Sequence, residues 1–202
     1  NAKILLTSTS EIYGEPKISP QDENYRGNVN TTGIRSCYDE GKRISETLFA
    51  DYARFYGLNI RIARIFNTYG PRMNKYDGRV VTNFISQMCE NKDITIYGSG
   101  NQTRSFCYID DTMYGLISLM NSDCSFPINI GNTKEITIKE LVATLQSLMP
   151  ASKSRIIYKP LPSDDPTNRR PNIELAQKYL HWNPKIKLED GLKKTITYIL
   201  QT

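Results

Sequence analysis

Asn59-Ile60-Arg61-Ile62-Ala63-Arg64-Ile65-Phe66 is a β-branched, apolar-rich run that stops at a turn-forming close, Asn67-Thr68-Tyr69-Gly70-Pro71-Arg72. It reads as a strand delivering polar side chains at its carboxyl end. Upstream, Ile44, Leu48, Tyr52 and Phe55 recur on one helical stripe that ends near Gly57. Before that helix, residues 3–7 read as a buried strand, with Ile4-Leu5-Leu6 running into the polar cluster Thr7-Ser8-Thr9-Ser10-Glu11. Strand, helix and strand in this order predict a parallel βαβ unit. In open parallel sheets ligands bind outside the carboxyl ends of the strands, so both polar closes are placed for a site.

The helix opens with Ser36-Cys37-Tyr38-Asp39-Glu40-Gly41-Lys42-Arg43. Tyr38 and Lys42 are four apart and project from one face. An ammonium beside a phenol favours its anionic form, which makes a base from a group that normally titrates near 10. Tyr13 and Lys17 repeat the spacing, but Gly14 and Pro16 between them prevent an uninterrupted helix. The alternative for Tyr38 and Lys42 is an ordinary ion-pairing helix start.

A chain of 202 residues, 39% hydrophobic, can bury one sizeable core and a small second lobe. The net charge of +5 is spread along the sequence, which suits a mildly basic cleft for an anionic ligand better than nucleic-acid binding. No apolar run approaches the roughly 20 residues of a membrane span. Cys37, Cys89, Cys107 and Cys124 have no metal-ligand spacing and read as reduced core thiols. With His181 as the only histidine, neither a histidine triad nor a multi-histidine metal site is expected, and no metal is assigned. The compartment stays open, with the cytoplasm favoured.

Residues 15–35 read as a long loop. Further helices are expected at about 81–90 and 110–120, with strands at 94–97, 126–130 and 155–158 and a turn-rich stretch at 98–104. Thr137 and Glu140 form a capping-box pattern ahead of Leu141, Leu145 and Leu148. Asn172 is expected to cap the helix with Ile173, Ala176 and Leu180, and Leu188, Leu192, Ile196 and Ile199 mark a last amphipathic helix.

Three motifs then line up in order: Leu6-Thr7-Ser8-Thr9-Ser10-Glu11-Ile12-Tyr13-Gly14, Tyr38-Asp39-Glu40-Gly41-Lys42-Arg43, and Arg64-Ile65-Phe66-Asn67-Thr68-Tyr69-Gly70-Pro71-Arg72. Asp77-Gly78-Arg79, Tyr97-Gly98-Ser99-Gly100, Gln102-Thr103-Arg104 and Arg169-Arg170-Pro171-Asn172 continue the series. Together they resemble the extended short-chain dehydrogenase/reductase family over about residues 3–200. The resemblance implies an α/β fold, the C-terminal part of a Rossmann-like parallel sheet plus a smaller α/β lobe for a nucleotide sugar. Residues 1–72 and about 104–131 fall to the Rossmann part, and about 73–103 and 132–202 to the lobe.

Within the family, the resemblance implies NAD-dependent conversion of UDP-glucuronate to UDP-xylose through a 4-keto sugar. Dehydratases of the family carry an Asp where this chain has Ser10, between Thr9 and Glu11. Dehydration needs that acid for the departing hydroxyl, whereas loss of carbon dioxide does not. Tyr38 is then the base and Lys42 its partner, both also against NAD. Thr9 bonds the sugar 4-hydroxyl or the tyrosine oxygen, or is simply a strand-end cap. Ser10 and Glu11 lie near the sugar carboxylate, Glu11 orienting a water or proton or being an ordinary loop carboxylate. Arg169 reaches the carboxylate or enolate.

Asn67 is implied near the substrate phosphates and Thr68 near NAD, with Arg79 also on the cofactor side. Arg104 and Gln102 face the nucleotide, and Tyr97 either stacks on uracil or packs in the core. The helix stripe fits a homodimer face or monomer core. The family's Gly-rich pyrophosphate loop, Gly-x-x-Gly-x-x-Gly, is absent from this sequence, which begins without Met. A fragment of a longer enzyme is expected. The competing readings are another nucleotide-sugar epimerase or dehydratase, and an inactive nucleotide-sugar-binding remnant without NAD.

Overall fold

The computed structural model describes residues 2–161 and 168–201. Its first unit is β1 (Lys3–Thr9), α1 (Ser36–Tyr56) and β2 (Asn59–Ile65). The two strands pair in parallel from Lys3↔Asn59 to Thr9↔Ile65, and β7 (Pro127–Ile130) extends the sheet in the order β1-β2-β7. Burial follows position. Central β2 is buried almost throughout, as expected of a strand covered on both faces. β1 differs from the sequence reading of a buried strand: most of it is only half-buried and Ile4 is exposed, and among the described residues it pairs with β2 alone.

α1 ends where expected. Gly57 adopts the left-handed conformation at φ 65° and donates its N–H to Ala53 O, a helix close that glycine makes without strain. The loop between β1 and α1 begins with a 3-10 turn, Ser10–Tyr13, whose cap is Thr9. Tyr13 therefore never shares a helix face with Lys17.

Beyond β2 come β3 (Thr68–Tyr69), α2 (Val80–Cys89), β4 (Ile94–Tyr97), β5 (Thr103–Ser105), β6 (Cys107–Tyr108) and α3 (Ile109–Asn121). After β7 follow β8 (Glu135–Thr137), α4 (Ile138–Leu148), β9 (Ile156–Lys159), α5 (Glu174–Leu180) and α6 (Leu188–Gln201). The capping box is made: Glu140 N–H donates to Thr137 Oγ1 at 3.1 Å and Thr137 N–H to Glu140 Oε2 at 2.7 Å. Short strands pair locally, β3 with β6 and β4 with β9 in parallel, β5 with β8 antiparallel. Arg104 thus lies in a strand, where the sequence suggested only a turn. Asn172 stands one residue before the cap of α5, which is Ile173, yet its Oδ1 still accepts the Glu174 N–H at 2.8 Å.

Two cores result. One joins α2, α4 and α6 through Phe84, Ile85, Leu141, Leu145 and Leu192. The other packs α3 and α5 on the sheet through Ala63, Leu119, Ile128, Ile130 and Trp182. Cys107 and Cys124 are core thiols as read from sequence, but Cys37 is exposed on α1. His181 closes α5 with a left-handed backbone, a structural role.

Candidate active site

A cavity of about 810 Å³ opens where the carboxyl ends of β1 and β2 face the start of α2. Thr9, Ser10, Glu11, Tyr38, Lys42, Asn67, Thr68, Arg79, Tyr97, Gln102, Arg104 and Arg169 all line it. Sequence spacing separated these residues widely, and the crossover of α1 and the return of the 168–173 segment bring them together. Arg35, Lys42, Arg79, Arg104 and Arg169 outweigh Glu11 and Asp77 along its wall, which favours an anionic ligand.

At one end, Tyr38 is 51% exposed on the first turns of α1. Lys42 Nζ lies 5.9 Å from the Tyr38 ring centroid and donates to Thr7 O at 2.9 Å, which ties α1 to the end of β1. Thr9 Oγ1 accepts the Glu11 N–H at 3.2 Å. That cap uses an acceptor lone pair and leaves the hydroxyl proton available to donate.

Arg169, on the same cavity, is only 1% exposed. Its guanidinium donates to Ser10 Oγ at 3.2 Å, Glu11 Oε2 at 3.3 Å and Gly14 O at 3.1 Å. Gly14, at φ 60°, has no space for a side chain beside Asn28, so the carbonyl position depends on glycine. Burial lowers the Arg169 pKa from its usual value, opposed by the Glu11 charge. Glu11 also pairs with Arg35 Nη2 at 3.1 Å.

The middle of the cavity is framed by Asn67 and Thr68, the latter hydrogen-bonded to Thr112 Oγ1 at 3.0 Å and donating to Phe66 O at 3.1 Å. Arg79 is the cap residue of α2, close to Asp77 Oδ2 at 3.6 Å. Gln102 donates to Tyr97 O at 2.7 Å. Tyr97 is half-exposed on the cavity wall, not packed in the core.

Sequence reasoning missed Arg35 and Asp39. Arg35 stands three residues before Tyr38, so helical spacing offered a signal. Asp39 is 7% exposed, and its Oδ1 has no hydrogen-bond partner. It also missed the layer beneath the site. Arg64, itself buried, donates to Glu46 Oε2 at 2.7 Å, Tyr13 Oη at 3.0 Å and Glu23 O at 2.8 Å, while Ser8 Oγ donates to Glu46 Oε1 at 2.5 Å. Hydrogen bonds from Arg64 to Glu46 raise the guanidinium pKa against the opposing effect of burial.

The family model described as GDP-mannose 4,6 dehydratase matches residues 1–195. The chain belongs to this extended short-chain dehydrogenase/reductase family. Within it, the chain is 56% identical over 191 residues to UDP-glucuronic acid decarboxylase 5 of Arabidopsis thaliana, covering 95% of this chain and 56% of that protein. It is 52% identical over 197 residues to UDP-glucuronic acid decarboxylase 1 of Danio rerio, covering 98% and 47%. The chain thus spans about half the length of the curated relatives it matches. The fold is similar to UDP-glucuronic acid 4-epimerase from Bacillus cereus, solved with UDP-glucuronic acid and NAD, with a TM-score of 0.89 and 29% identity over 98% of this chain and 62% of that one.

Proposed function

We propose that the protein carrying this chain decarboxylates UDP-glucuronate to UDP-xylose, using NAD as an oxidant that is regenerated in each turnover. The observation that carries this reading is the uronate end of the cavity. Ser10 stands between Thr9 and Glu11 with its hydroxyl on a buried Arg169, so this part of the cavity offers a guanidinium for a carboxylate and a serine, not an aspartic acid, at the position between Thr9 and Glu11. The names of the relatives agree.

The residues present fit the nicotinamide-ribose end of NAD. Tyr38 and Lys42 face the cavity at the carboxyl end of β1, where hydroxyl and ammonium donors meet. Thr68 and Arg79 extend the same wall. When bound, NAD accepts hydride from sugar C4 and later returns it.

Tyr38 Oη takes the proton of the 4-hydroxyl, and the Thr9 hydroxyl orients the sugar oxygen against it. The resulting 4-keto sugar has its carboxylate at the β position. The C5–C6 bond breaks, carbon dioxide leaves, and the electron pair enters an enolate over C5, C4 and the 4-oxygen. Arg169 supports this charge, and Glu11 orients the group that returns a proton to C5. The diphosphate lies toward Asn67, Arg104 and the start of α2, whose orphan N–H groups favour an anion, and Tyr97 and Gln102 face the uracil.

Two further elements belong to the proposal. The stripe Ile44, Leu48, Tyr52 and Phe55 is 50–78% exposed, which supports the reading of this face as the contact between two copies. The sheet with its covering helices forms the cofactor side, and the α2–α4–α6 core forms the lobe that closes over the sugar nucleotide.

The test is incubation of the full natural chain with UDP-glucuronate and NAD, read by mass spectrometry. Loss of carbon dioxide without build-up of reduced NAD is expected. Loss of water, or an epimer of unchanged mass, contradicts the proposal.

A further inference from the structure

Behind Glu11 and Arg169 lies a second cavity of about 170 Å³. Glu11, Arg35 and Arg169 line both chambers, so they form the partition between them. The rear wall carries Asp39, with Ser36 and Val29 beside it. Among the described residues, buried Asp39 Oδ1 and Arg169 Nε have no hydrogen-bond partner, one an acceptor and the other a donor. A cavity this polar, and far above the roughly 10–15 Å³ that one water requires, is hydrated.

The decarboxylase reading, on which this inference rests, leaves one proton unaccounted for. Tyr38 takes the proton of the 4-hydroxyl and returns it to the same oxygen when C4 is reduced. Carbon dioxide departs without a proton. Yet C5 gains a hydrogen when the enolate collapses, so each turnover draws one proton from solvent by a path other than Tyr38. A sugar nucleotide bound in the front chamber would displace water from it.

We propose that the rear cavity is the supply line for the C5 proton, with Asp39 as the positioning residue that holds it at the rear wall and Glu11 orienting the water that delivers it. The proton passes from Asp39 through water to C5, the C5–H bond forms as the enolate electrons return, and the 4-keto group is restored. Solvent then recharges Asp39.

The charges facing Asp39 suit this use. Burial raises its pKa above the usual carboxylate range, and Glu11 adds to the rise. Arg35 and Arg169 oppose it, while Glu40 on its own helix reinforces it. Glu15 lines the same cavity.

The test uses the full natural chain with UDP-glucuronate and NAD, and reads the ratio of UDP-xylose to released 4-keto pentose by mass spectrometry. In Asp39→Asn the ratio is expected to fall by about a hundredfold, at the low end of what positioned proton transfer contributes. Val29→Phe, which narrows the cavity from its apolar side, shifts the ratio the same way, and Asp39→Glu restores it in part. If Asp39→Asn does not fold, Val29→Phe decides alone. An unchanged ratio in the folded variants overturns the supply line while leaving the decarboxylase reading standing. Absence of carbon dioxide release from the unaltered protein overturns both.

Discussion

The two Tyr-x-x-x-Lys matches show what a single residue owes to its surroundings. Tyr13 is fully buried, donates to Asn129 Oδ1 at 2.8 Å, and has its phenol pushed up to about 12, first by burial. Tyr38 faces the cavity beside Lys42. Glycine and proline in the intervening sequence were enough to tell them apart. Tyr38→Phe is expected to lower kcat by about 10²–10⁴ without changing the melting temperature, since it removes one hydroxyl from a half-exposed side chain. The contact of Arg169 with Glu11, across 158 positions, was not in any spacing. Family motifs named both residues; helical spacing from Tyr38 could have found Arg35, but Asp39 stayed hidden because no period or turn rule marks a buried polar side chain.

Asp39 also predicts a pH effect on stability. Its folded-state pKa lies above the unfolded value, so both states are protonated at low pH and the charge is disfavoured only in the fold as pH rises. The resulting loss of stability develops between the unfolded and folded pKa and is complete above the latter. Asp39→Asn removes it. The variant is expected to melt above the unaltered protein at pH 7, with the advantage vanishing below about pH 4, measured by thermal unfolding across pH.

Elements long enough to show a period were legible from sequence. β4 runs from Ile94 to Tyr97 as read, and α1 ends at its glycine. β3, β5, β6 and β8 were not, because two or three residues cannot display alternation and their pairing is set by distant partners. The hold of α1 on the sheet was equally hidden, since it depends on Glu46 meeting Arg64 and Ser8. Glu46→Ala leaves a buried guanidinium unpaired and is expected to cost about 3–5 kcal/mol in denaturant unfolding. Thr137→Ala, which removes the cap of α4, is expected to cost about 1 kcal/mol by the same measurement.

At the scale of the molecule, the order of strand, helix and strand indicated an α/β protein and the net charge an anionic ligand, and the fold supplies the basic cavity. The stripe of α1, which the sequence alone did not distinguish from a core, is exposed. Leu48→Asp is expected to convert a dimer into monomers in light scattering, while leaving the far-ultraviolet dichroism unchanged. A protein that is already monomeric contradicts the proposed face.

The central claim is that Tyr38 and the group Ser10, Glu11 and Arg169 act on a single uronate. Its most direct measurement is the reaction of the full natural chain with UDP-glucuronate and NAD in deuterium oxide, followed by nuclear magnetic resonance of the product. The account predicts UDP-xylose carrying deuterium at C5 and none at C4, because C5 is protonated from solvent and C4 receives back its own hydride. A product that keeps its carboxylate with C4 inverted, or one that carries deuterium at C4, contradicts it.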